Sequence, residues 1–96
     1  MRLTQFEIDS IKKAFHKVFG KGKIYLFGSR VNDTKKGGDI DLYLLPTNSP
    51  KDLDRKKIKF LVELDLSIGE QKIDVILAKD KNRLIEQEAI KNGVEL

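Results

Sequence analysis

Three aspartates in apolar surroundings have the most chemistry to offer: Asp39 and Asp41 in Gly38-Asp39-Ile40-Asp41-Leu42, and Asp74 in Lys72-Ile73-Asp74-Val75-Ile76-Leu77. If each stretch is a strand, side chains alternate between faces, so Asp39 and Asp41 share one face while Ile40, Leu42 and Leu44 take the other. Two carboxylates held that close on a half-buried strand repel each other and are poorly solvated. A divalent cation is their natural neutraliser, and a donor set made only of oxygen points to Mg²⁺ or Mn²⁺ rather than Zn²⁺. Asp74 interrupts a second apolar run and reads as the missing ligand. With its strand beside that of Asp41, the three acids would hold two ions about 3.5 to 4 Å apart, the arrangement that clamps an in-line phosphoryl displacement.

Upstream, Lys23-Ile24-Tyr25-Leu26-Phe27 ends abruptly in Gly28-Ser29. Glycine there permits close backbone approach, and exposed amides with the Ser29 hydroxyl can hold phosphate oxygens. Arg30 adds either a bidentate phosphate contact or a plain surface charge. Each signal alone is commonplace, since Gly-Ser is an ordinary turn and Asp-x-Asp an ordinary strand end. Their order along the chain gives them weight. His16 has no second histidine and no cysteine to join it, and it reads as surface or packing. Tyr25 and Tyr43 read as core or sheet-face residues, with Tyr43 on the aspartate face by alternation.

The elements that must position these residues follow from periodicity. Thr4-Gln5-Phe6-Glu7 has the form of a capping box, and Ile8, Ile11, Phe15 and Val18 recur at helical spacing to predict a helix over 4–19 that Gly20 and Gly22 stop. Strands are expected at 23–27, 39–45 and 71–78. A helix is expected from Lys51 to about Leu66, although the alternation of Leu64, Leu66 and Ile68 also allows a short edge strand before Gly69. A last helix over 81–91 would have Asp80 as its cap and Asn92-Gly93 as its stop. The order is α-β-turn-β-α-β-α, an α/β (α+β) architecture in which a small mixed sheet of about three strands is backed by helices.

Composition narrows the classes. With 96 residues, 40% hydrophobic and 35% charged, the chain is expected to form one soluble globular domain, since domains usually run to about 100 to 200 residues. Its apolar runs fall far short of the roughly 20 residues of a membrane helix. The N-terminus lacks a signal-peptide core, and cysteine is absent, so a cytoplasmic location is the default. The net charge of +4 is spread over 19 basic and 15 acidic residues. That balance suits a polyanionic small molecule such as a nucleoside triphosphate, while the basic run at 51–59 lacks the aromatic platform of an RNA-binding surface.

Leu26-Phe27-Gly28-Ser29-Arg30, then Gly38-Asp39-Ile40-Asp41-Leu42, then Ile73-Asp74-Val75 resembles the nucleotidyltransferase superfamily with the DNA polymerase β fold. In length the chain is similar to its smallest branch, the minimal nucleotidyltransferases encoded beside HEPN-type helical partners. Two departures, Val31-Asn32-Asp33 in place of Ala-Arg-Gly and Gly38 in place of a small hydroxyl residue, leave the acids intact. The resemblance implies a single polymerase β-like domain over 1–96, two metal ions on Asp39, Asp41 and Asp74, and a triphosphate held by Gly28, Ser29 and Arg30. It also implies transfer of AMP from ATP to an acceptor hydroxyl, and some members so modify a tyrosine of the HEPN partner and act as antitoxins. The competing expectation is a non-catalytic antitoxin that neutralises a helical partner by binding. Homo- or hetero-oligomers are compatible with either.

Overall fold

The computed structural model describes residues 3–28, 39–48, 51–79 and 82–96. The first helix, α1 (Gln5–Phe19), starts where the capping box predicts: the Thr4 hydroxyl accepts from the Glu7 amide at 3.1 Å, and the Glu7 carboxylate accepts from the Thr4 amide at 2.9 Å. Ile11, Phe15 and Val18 are buried, and Lys12, Lys13 and Lys17 keep the outer face polar. Strand β1 (Gly22–Phe27) follows at once and pairs antiparallel with β2 (Ile40–Pro46).

Helix α2 (Leu53–Ile68) then crosses the sheet and leads to β3 (Ile73–Leu77), which pairs parallel with β2. The alternative edge strand at Leu64–Ile68 does not form. As a helix the segment buries Leu64 and, one turn on, half-buries Ile68, and the Gly69 amide caps it on the Asp65 carbonyl at 3.1 Å. Helix α3 (Leu84–Asn92) starts three residues later than predicted, with Arg83 as its cap residue; Asp80 lies outside the described residues. The side chain of Glu86 accounts for the late start, because it draws both the Lys79 amide and the Arg83 guanidinium toward itself and leaves a turn before the helix.

A short strand not foreseen, β4 (Val94–Glu95), pairs antiparallel with β1. The sheet is therefore four-stranded and mixed, in the order β3-β2-β1-β4, with the α+β class as expected. Helices α1 and α2 cover one face. There Ile24 and Leu26 of β1, Ile40, Leu42 and Leu44 of β2, and Val75 and Leu77 of β3 close on Ile11, Phe15, Phe60 and Leu64. At about 25 cal/mol per Å² of apolar surface this one-sided core supplies the main folding force. The other face carries the alternate residues and is covered in part by α3, which packs on β1. No helix among the described residues is long and apolar enough to cross a membrane.

Candidate active site

The part of that second face that no described helix covers lies where β2 and β3 begin and β1 ends. The register sets Phe27 of β1 opposite Asp41, and Asp41 beside Asp74. Because neighbouring strands run about 4.8 Å apart and paired residues project to the same side, the two carboxylates face each other across the sheet. Parallel pairing thus does what the two sequence stretches alone left open.

Gly28 completes the row. Its φ of +78° suits glycine, and a Cβ placed on it would collide with Oδ2 of Asp41. The turn is shaped so that backbone comes against the carboxylate, with no side chain between. Ser29 and Arg30, the other expected nucleotide contacts, lie outside the described residues, as does the polar loop before Asp39.

The Asp41 carboxyl is held above the usual aspartate range, first by its partial burial, then by the charges of Asp74 and Asp39, with Asp74 close enough to share a proton with it. Lys72 opposes this with a smaller effect. The neighbouring acids therefore make the charged form of Asp41 costly.

Asp39 departs from the expected arrangement. It precedes β2 instead of opening it, so strand alternation does not fix its side chain. Its Oδ2 lies 3.4 Å from Lys72 Nζ. Among the described residues no three metal-ligating side chains gather around one point, so the expected cage of three acids is not preformed. The exposed Lys72 ammonium gives Asp39 a counter-charge there. Asp41 and Asp74, with only oxygen donors, nonetheless suit a hard divalent ion such as Mg²⁺ or Mn²⁺, and Asp39 stands within electrostatic reach.

One buried acid on this face was missed from sequence. Glu86 of α3 is fully buried; its carboxylate accepts from the Tyr43 hydroxyl at 2.8 Å, from the Lys79 amide at 3.1 and 3.2 Å, and from Arg83 at 3.2 Å. Burial and then the Glu86 hydrogen bond push the Tyr43 phenol well above its usual range, so Tyr43 stays a neutral donor. Tyr43 packs its ring 6.1 Å from that of Tyr25, and both are sheet-face residues as expected. A polar hydroxyl inside an apolar strand was the available signal that some partner must be buried with it. His16 is exposed, and its ring nitrogen Nδ1 lies 2.8 Å from the Gly20 carbonyl oxygen at the end of α1.

A family model described as "Polymerase beta, Nucleotidyltransferase" matches residues 9–96, a span that takes in all four strands and all three acids. No curated protein and no solved structure matches the chain.

Proposed function

The chain belongs to the polymerase beta nucleotidyltransferase family, and from that premise we propose that it transfers AMP from ATP to an acceptor hydroxyl in a reaction that depends on divalent cations. The observation that carries the reading is the facing pair Asp41 and Asp74 beside Gly28, whose mutual repulsion Lys72 offsets only in part among the described residues. In this reading Asp41 and Asp74, joined by Asp39, hold two Mg²⁺ or Mn²⁺ ions. When bound, these would neutralise charge on the phosphoryl oxygens and acidify the acceptor hydroxyl.

The chain's own residues do the positioning. Gly28, with no side chain, lets the triphosphate come against the end of β1, and Ser29 and Arg30 take its phosphate oxygens by hydrogen bonds. The ion pair of Lys72 with Asp39 is exposed and of little worth, so Asp39 would be free to join Asp41 and Asp74 in holding the ions. The acceptor hydroxyl gives its proton to solvent, its oxygen bonds to the α-phosphorus, and the bond to the bridging oxygen breaks as pyrophosphate departs. We take the acceptor to be a tyrosine of a HEPN-type helical partner, which would make the protein an antitoxin; the support is the likeness of its motifs to that branch.

The test is incubation with labelled ATP, Mg²⁺ and the product of a neighbouring helical-protein gene. Label on the partner, lost in Asp41→Asn, is the expected result. Neutralisation of the partner that survives Asp41→Asn with no label transferred would instead establish inhibition by binding alone.

A further inference from the structure

The outer face of α2 is built differently from that of α1. Ile58, Val62 and Leu66 stand 63%, 52% and 78% exposed, at i, i+4 and i+8, on the side of the helix away from the buried Phe60 and Leu64. They form one apolar ridge, which continues into an open groove of about 370 Å³ beside β3, floored by Leu61 and Ile73. An apolar strip bordered by charges is a docking surface in the making.

Its charges say what docks there. The half of α2 before Leu61 carries Arg55, Lys56, Lys57 and Lys59 against Asp54 alone, and the half after it carries Glu63 and Asp65. Lys59 and Asp65 lie three residues before and three after Val62, on opposite margins of the ridge by helical geometry. Among the described residues neither forms an ion pair within the chain. Ridges of the i, i+4 kind pack against their like with helices crossing at about 50°. A twofold axis running along the ridge beside Val62 brings the three apolar residues of each copy against those of the other, and it sets Lys59 of each copy against Asp65 of the other. Such a surface is complementary to itself, as a twofold interface requires. We propose that α2 is the interface of a homodimer, formed by two copies crossing at Val62.

The inference is independent of the transfer reaction, and its test reads only mass. Sedimentation equilibrium of the full chain is expected to give a dimer that weakens with salt. Val62→Asp, which sets two like charges at the axis, is expected to weaken it at least ~100-fold while leaving the helical circular dichroism unchanged. Lys59→Asp and Asp65→Lys should each weaken it about tenfold, and the double charge reversal should restore it. A wild-type chain that stays monomeric to sub-millimolar concentration would overturn the proposal, as would a dimer indifferent to Val62→Asp or a double reversal no tighter than the single changes. A chain that is monomeric alone but is captured through Val62 by a helical partner would assign the ridge to that partner instead.

Discussion

Asp41 and Glu86 are both carboxylates on the α3 side of one small sheet, yet the fold treats them oppositely. Glu86 is wholly buried and receives a phenol, a backbone amide and a guanidinium. Asp41 is only half-buried, and among the described residues its charged neighbours are two more acids and one lysine already paired with Asp39. A buried acid whose charge the chain itself meets is a fastener, here fixing α3 to β2. An acid whose charge the chain aggravates is left for something from outside. Burial alone would have ranked Glu86 above Asp41 as a candidate, whereas the partners around each acid reverse that order.

Several substitutions would break or sharpen that contrast. The largest effect is on turnover: Asp41→Asn should lower the rate of label transfer on the order of 10³-fold while the protein stays folded, because the lost group acts on charge that develops in the reaction. Next comes Glu86→Ala, which strands the buried Tyr43 hydroxyl and takes the acceptor from the partly buried Lys79 amide, and should cost about 3 kcal/mol in urea unfolding. If Glu86→Ala abolished transfer with stability intact, the division between fastener and site would collapse.

Gly28→Ala should cost about 2 kcal/mol, from the strained φ and from pushing Asp41 aside, and should also weaken metal-dependent stabilisation in a thermal melt. The smallest effect is the pH response of Asp41. Its carboxyl is raised in the folded state, so the protonated form is favoured there. Below the ordinary aspartate range both states hold the proton and nothing is lost. As pH rises through the folded value the charge appears against Asp74 and stability falls. Without metal, Asp41→Asn and the parent should therefore melt together in acid, and the variant should melt higher at neutral pH. Equal melting at all pH values would mean that Asp41 is not under strain.

Much of this was legible in the residues because the signals were local. The Thr4 and Glu7 cap lies within one turn, and the alternation Ile40, Leu42, Leu44 against Asp41 and Tyr43 lies within one strand. The site needed just one tertiary fact beyond that, the parallel pairing that brings Asp74 beside Asp41. What escaped was set by contacts distant in sequence. Glu86 looks like any surface glutamate until Tyr43, 43 residues earlier, is placed beneath it. The ion pair of Lys72 with Asp39 likewise joins residues far apart in sequence, and neither stretch announces it. Strand β4 is two residues long and owes its existence to the edge of β1 and not to its own composition. Leu66 fitted both a strand and a helix pattern; the burial of Leu64 on the opposite side decided for the helix.

The central claim is that Asp41 and Asp74 leave a charge that a divalent ion must meet. Calorimetric titration of Mn²⁺ in the presence of a non-hydrolysable ATP analogue tests it most directly, with Asp41→Asn beside the parent chain. The account predicts saturable uptake by the parent, accompanied by proton release at mildly acidic pH, and loss of that uptake in the variant. Equal uptake by both, or none by the parent, would contradict it.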